Sequence, residues 1–229
     1  MTLTKIKFRI QLADERHFSY AQQICDEMES SAKMRGTGIA RRTPEFIETK
    51  MKEGKAVIAL AEGGEWAGFC YIESWSHGKF VANSGLIVSP LFRNSGLATR
   101  IKHEIFQLSR RKYPDAKIFG LTTGLGVMKI NSQLGYRPVT YSELTNDENF
   151  WQGCRSCVNF PILTEKERKN CLCTAMLYDP AEHKSAWQKF ISRRSSSKAA
   201  ITSDSNLALR WANMLRKAAS VAMVFGKPL

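Results

Sequence analysis

The stretch from Gly85 to Leu108 constrains this chain more than any other. Gly85-Leu86-Ile87-Val88 is an apolar run closed by Ser89-Pro90, and it reads as a strand. Leu97, Ile101, Ile105 and Leu108 then recur at spacings of four, four and three, which predicts a helix. Between them lies Arg93-Asn94-Ser95-Gly96-Leu97-Ala98-Thr99. A small-residue turn at the start of a helix leaves N–H groups unpaired at the positive end of the helix dipole, a ready seat for phosphate. Gly96 and Ala98 let a ligand approach the backbone without obstruction.

The flanking segments place that turn in a mixed sheet. Lys5 to Leu12 alternates as a strand, and Asp14 to Lys33 has helical spacing through His17, Tyr20, Ile24 and Met28. Thr43-Pro44 starts a second helix, with threonine as cap and proline at the first position, and Gly54 ends it. Ala56 to Ala61 and Trp66 to Trp75 read as a hairpin turning at Glu62-Gly63-Gly64-Glu65, and Val81 to Val88 as the next strand. After the motif helix, Ala116 to Thr123 reads as a strand and Gly124 to Leu134 as a helix. The order describes an α/β (α+β) fold.

The motif resembles the acyl-CoA-dependent N-acyltransferases of the GNAT superfamily, whose pattern L-x-V-x-P-x-x-R-x-x-G-x-G/A is filled by Leu86, Val88, Pro90, Arg93, Gly96 and Ala98. Leu134-Gly135-Tyr136-Arg137-Pro138 is similar to the turn that enters the family's sixth strand. The resemblance spans residues 6 to 145. It implies a mostly antiparallel sheet with a splayed central parallel pair (81–88 and 116–123) and flanking helices. It further implies that the pyrophosphate of coenzyme A sits on the turn, at Arg93, Asn94, Ser95, Gly96, Leu97, Ala98 and Thr99. The pantetheine arm is then expected along Leu86, Ile87 and Val88, whose N–H groups at 86–87 stabilise the oxyanion.

An acyl thioester is already activated, so the enzyme must chiefly orient it and deprotonate an amine. Glu73, ending the Phe69–Ile72 strand beside Trp75, is the first candidate base, and His77 the second. A solvated strand end is the plain alternative for both. The family's general acid, a tyrosine, falls at Asn131 here, which leaves that role unassigned.

The acceptor loop of this fold reads here as Lys33 to Arg42. Lys33, Arg35, Arg41 and Arg42 surround Gly36 and Gly38 and suit an anionic amine, since arginine pairs well with carboxylates. A solvated basic loop is the alternative. Ser31–Pro44, Trp75–Gly78, Ala82–Gly85, Gly120–Gly124, Trp151–Cys157 and Cys171–Thr174 resemble more closely a bacterial group linked to arginine biosynthesis. That likeness implies L-glutamate as acceptor, with acetyl-CoA or succinyl-CoA as donor. Acylation of a protein amine, and a non-catalytic acyl-CoA-binding module, are the competing readings.

Cys154-x2-Cys157 and Cys171-x-Cys173 form a further pattern. If 171 and 173 share a strand face, the four thiolates can close a structural zinc site. The alternative is that the strand pair faces the core and the other two are incidental. Cys25 and Cys70 read as core residues.

The formal charge of +13 suits a polyanionic partner. Arg100, Lys102, Arg110, Arg111 and Lys112 are expected to draw coenzyme A to the turn. Residues 184 to 227 form a separate basic feature, with only Asp204 opposing. The expected division is an acyltransferase domain over 1–180, with a cysteine-rich insertion at 150–175, and a basic linker and helical tail over 181–229. The tail's Leu207–Val224 helix can dock on its own chain, pair two copies, or lie on an acidic surface. Its aromatics are too sparse to favour nucleic acid. With no apolar run near bilayer length and no signal-peptide core, a cytoplasmic protein is expected.

Overall fold

The computed structural model describes residues 6–36 and 40–183. In chain order these form β1 (Phe8–Leu12), a 3-10 turn (Glu15–Tyr20), α1 (Ala21–Met34), α2 (Pro44–Lys52), β2 (Ala56–Ala61), β3 (Trp66–Trp75) and β4 (Phe80–Val88). There follow α3 (Leu97–Lys112), β5 (Lys117–Thr122), α4 (Leu125–Gln133), β6 (Arg137–Val139), α5 (Glu148–Gln152), α6 (Phe160–Glu165) and β7 (Thr174–Tyr178). The expected basic tail lies outside the described residues.

The strands make one sheet in the order β1-β2-β3-β4-β5-β7-β6. Every neighbouring pair is antiparallel except β4–β5. Strand alternation sorts the core by face. Cys70, Ile72 and Val81 pack with Leu97, Ile101 and Ile105 of α3. Phe69, Tyr71 and Ile87 pack with Ile24 and Met28 of α1 and Ile47 of α2. Farther along, Ala82, Phe119 and Leu177 are covered by Tyr141, Trp151 and Leu163. Ile101 and Ile105 are fully buried, each such side chain stabilising the fold by about 1.5–3 kcal/mol. This contact fixes α3, and with it the turn before α3, against the sheet.

Two features open the sheet's centre. Parallel pairing couples Phe80 to Lys117, Val81 to Ile118 and Ala82 to Phe119, and stops there, although β4 runs on to Val88. Between the Phe69–Ile87 and Tyr71–Ser84 pairs the β3–β4 register slips by one residue, a β-bulge on β4. Gly85 sits in it at φ +63°, where an added Cβ would lie 2.4 Å from the Tyr71 ring and 2.7 Å from the Met28 methyl. A bulge bends and twists its strand. Beyond Ala82, β4 therefore leaves β5 with an unpaired edge.

The helix at Thr43-Pro44 forms as expected, the Phe46 N–H donating to Thr43 Oγ1 at 3.3 Å. One expectation fails at the other end of the sheet. Cys171 and Cys173 lie in a bend before β7, not on a strand, so no shared strand face aligns their sulfurs.

Candidate functional site

The splay leads to the turn. Ser89 and the 3-10 segment Pro90–Phe92 carry the chain to Asn94 at φ +62° and Gly96 at φ +76°. Gly96 stands at the N-cap of α3, with no side chain capping it and nothing within 4 Å of where a Cβ would project. Among the described residues no acceptor meets the N–H groups of Asn94, Ser95, Gly96, Leu97, Ala98 or Thr99. Buried helix ends normally find partners; this one is exposed and open to an anion.

Arg93 contributes differently from its neighbours. Its N–H faces the Pro90 carbonyl at 3.5 Å. Its guanidinium donates to Glu27 at 2.6 Å, Ser31 Oγ at 2.7 Å and the Val88 carbonyl at 3.3 Å. Arg93 ties the turn to α1 and the end of β4, and the free amides begin one residue later.

Glu73 lies directly across from Ala82, the last β4 residue paired to β5. It is therefore at the apex of the splay, on the α1–α2 side. Arg42 Nη2 approaches both Glu73 carboxylate oxygens, at 3.4 and 3.5 Å, and Arg42 Nε donates to the Tyr71 hydroxyl at 2.9 Å. The guanidinium also stands 4.9 Å from the centre of the Phe46 ring. Burial works against the Arg42 charge, but Tyr71 and Glu73 outweigh it and raise its pKa further.

The remaining predicted residues are not gathered there. Lys33 and Arg41 pair with Glu29 on α1, at 3.1 and 3.5 Å, with exposed side chains. Arg35 follows α1 and is exposed, and residues 37–39 lie outside the described set. His77 occupies the exposed β3–β4 turn at φ +56°, away from the apex. Asn131 is buried, its Nδ2 donating to Met176 Sδ at 3.8 Å and its Oδ1 unpartnered.

The cysteine-rich segment covers the sheet next to Glu73. Trp75 packs on Phe119 and Phe150, and Trp151 on Tyr141. Ser156 Oγ accepts from the Arg41 N–H at 3.0 Å, which binds this segment to the loop carrying Arg42. The Asn159 N–H donates to Cys157 Sγ at 3.4 Å, and Cys171 Sγ donates to the Asn159 carbonyl at 3.8 Å. Burial and the neighbouring thiols push Cys154 up to about 11 and Cys173 to about 12. The expected zinc set is not formed: among the described residues no three His, Cys, Asp or Glu are placed to hold a metal ion.

Of the cations expected beside the turn, one lies in the core and another is partly covered. Lys102 is buried, and Arg110 Nη1 is buried without a partner, its guanidinium 5.4 Å from the Tyr178 ring centre. Lys102 is not a surface charge, and Arg110 is half-buried. Arg100 does border the turn, along a groove of about 560 Å³ that it lines with Phe8, Ile10, Thr99 and His103.

No family model and no curated protein matches the chain. Solved structures do. One is the N-acetylglutamate synthase of Neisseria gonorrhoeae complexed with coenzyme A and N-acetyl-glutamate. It superposes with a TM-score of 0.54 at 14% identity, over 77% of this chain and 36% of that one. The chain thus spans about a third of that enzyme's length. Rv2747 of Mycobacterium tuberculosis, in complex with CoA, superposes with a TM-score of 0.53 at 15% identity, over 75% of this chain and 98% of that one. The chain has the fold of the GNAT N-acetyltransferases. No helix among the described residues is long and apolar enough to cross a membrane.

Proposed function

We propose that this protein transfers an acyl group from acyl-CoA to the amine of a small anionic acceptor, L-glutamate first among them. The observation that carries this is the conjunction at β4: one strand edge, unpaired beyond Ala82, joins the open amides after Arg93 to the Glu73–Arg42 pair. The diphosphate lies on the N–H groups of residues 94 to 99, where the helix dipole favours negative charge. Pantetheine follows Leu86, Ile87 and Val88 toward the apex, and the N–H groups at Leu86–Ile87 receive the developing oxyanion.

Arg42 and Glu73 then act in sequence. An incoming carboxylate competes for the Arg42 guanidinium, which offers a planar fork of donors. Glu73, released from that contact, takes the proton that the acceptor ammonium must lose before its nitrogen can attack. The N. gonorrhoeae neighbour is solved with N-acetyl-glutamate, the product such a transfer would make. That supports glutamate without deciding it, because one fold serves many acceptors.

The test is release of free CoA thiol from acetyl-CoA and succinyl-CoA across a panel of amino acids. Turnover with glutamate supports this assignment. Turnover only with a protein amine, or CoA binding without turnover, overturns it in favour of protein acylation or a sensor module. The cysteine spacing carries one finer proposal, a structural zinc on Cys154, Cys157, Cys171 and Cys173, supported only by the first, second and third of these thiols lying near enough to Cys173 to raise its pKa beyond the effect of burial. One equivalent of zinc per purified chain supports it, and metal-free protein of unchanged stability removes it.

A further inference from the structure

The apex of the splay has a second polar group, on the face opposite Glu73. Lys102, in the second turn of α3, is 2% exposed. Its Nζ donates to Asn83 Oδ1 at 3.4 Å, and Asn83 is the first β4 residue beyond the last β4–β5 pair. The same oxygen accepts from the Tyr136 hydroxyl at 3.1 Å. Asn83 Nδ2 donates to Ser109 Oγ at 2.7 Å, and that hydroxyl donates to the Ile105 carbonyl at 2.9 Å. The ammonium is 5.3 Å from the centre of the Tyr136 ring.

No carboxylate answers this charge among the described residues. Cys70 faces it from β3, Asn83 from β4, Ser109 from α3 and Tyr136 from the α4–β6 turn, with Tyr178 behind Tyr136. Burial raises the pKa of the Cys70 thiol and of the Tyr136 hydroxyl, which keeps both neutral. Lysine has three N–H donors, and here one of them makes a single long bond. A buried cation with spare donors calls for an anion. On the acyl-CoA assignment above, a thioester that follows the free edge of β4 brings its sulfur to this apex, where Asn83 holds the ammonium.

We infer that Lys102 is the general acid of the transfer, protonating the thiolate of CoA as it departs; the inference rests on the acyl-CoA assignment above. The acceptor nitrogen attacks the carbonyl carbon and the C–N bond forms. The tetrahedral adduct collapses, the C–S bond breaks and its electron pair goes to sulfur. Lys102 passes one proton to that sulfur, leaving CoA thiol and a neutral lysine amine. Glu73 holds the first proton lost by the acceptor ammonium, and the second, carried on the nitrogen of the adduct, passes to water as the adduct collapses. Both groups then return to their starting states by exchange with water, with one proton released overall. Burial lowers the Lys102 pKa to about 8, beside about 8.5 for an ordinary thiol. The proton therefore moves on nearly level ground, the condition that favours general acid catalysis. Asn83 and Tyr136 are positioning residues that fix the ammonium.

The test uses the full chain with Lys102→Met, near in length and apolar, and Lys102→Arg, which keeps the charge and hardly releases a proton. Lys102→Met is expected to lower kcat about 100-fold with little change in KM for acyl-CoA. Both variants are expected to lose the alkaline limb of the kcat profile near pH 8. A second readout needs no turnover. The ultraviolet thiolate absorbance of bound CoA, corrected with desulfo-CoA, is expected to rise at lower pH than in free CoA. Lys102→Met removes that shift. Unchanged kcat and pH profile in Lys102→Met, or a stoichiometric acyl adduct on Lys102, overturns the inference while leaving CoA binding intact. Failure of wild-type protein to bind either CoA or desulfo-CoA overturns the acyl-CoA assignment itself.

Discussion

Glu73 and Arg42 have side chains only 17% and 15% exposed, so their contact is largely sheltered from water. Glu73→Gln keeps the shape and removes the base; its kcat is expected to fall about 100-fold while calorimetric affinity for CoA is unchanged. Arg42→Lys keeps a charge but loses the fork. The charged hydrogen bonds it forfeits are worth about 1.5–3 kcal/mol, so the KM of an anionic acceptor is expected to rise about tenfold or more, with a smaller effect on kcat. Glu73 was legible as a candidate because it ends an apolar strand, and the sheet places it at the apex. Arg42 was legible only as one of four cations. What singles it out is the Thr43-Pro44 cap, which fixes the backbone beside it, whereas Lys33 and Arg41 are held outward by Glu29. Lys102 misled in the opposite way. In the motif helix it reads as a polar-face residue, yet Ser109, seven positions on, shares its side of α3, and both meet Asn83. Two polar residues on one stripe, with Asn83 in a strand, were the available signal.

The elements around the splay depend on two glycines at positive φ. Gly96→Val places a branched side chain at φ +76°, a strain of about 1–2 kcal/mol for an L-residue, and crowds the amides proposed to seat phosphate. Its expected signature is a loss of CoA affinity of about tenfold or more from the side chain crowding the phosphate seat, about 1.4 kcal/mol or more of binding free energy, read by titration, while the backbone strain shows separately as a fall in Tm. Gly85→Ala acts on the bulge instead. The added methyl meets the Tyr71 ring at 2.4 Å, and overpacking of this kind destabilises by about 1–3 kcal/mol, measurable by urea unfolding. The strand–turn–helix unit was legible because its signals are local: an apolar run, proline, glycine and a helical period. β7 was not, since Thr174–Tyr178 is short and its place between β5 and β6 is a long-range pairing. The helices α5 and α6, of five and six residues, are too short for a period to declare itself.

At the scale of the whole molecule, buried titratable groups give stability a pH dependence whose sign can be worked out. Burial lowers Lys102 from 10.5 to about 8. Below about pH 8 both folded and unfolded chains carry this proton, and the folded state bears the full penalty of a buried ammonium. Between 8 and 10.5 the unfolded chain binds a proton that the folded one does not, so stability rises with pH. The thiols oppose this: burial raises Cys70 from 9.0 to about 11, so the unfolded chain loses that proton first and stability falls from about pH 9 upward. Cys25, also raised to about 11, acts in the same direction. The Lys102 contribution therefore stands clear only between about pH 8 and 9 in wild-type protein, but a difference isolates it up to about pH 10.5, below the range where Cys70, which the Lys102 charge acts on, ionises in the folded chain. Lys102→Met leaves the thiols in place. Its stability relative to wild type, from urea unfolding at a series of pH values, is expected to be greatest below pH 8. The difference should then shrink toward pH 10.5 by about 3 kcal/mol, at about 1.4 kcal/mol per pKa unit. A difference that stays level across that range would mean Lys102 keeps its proton in the folded chain as readily as in water, and a lysine so solvated could not serve as a matched acid for a thiolate.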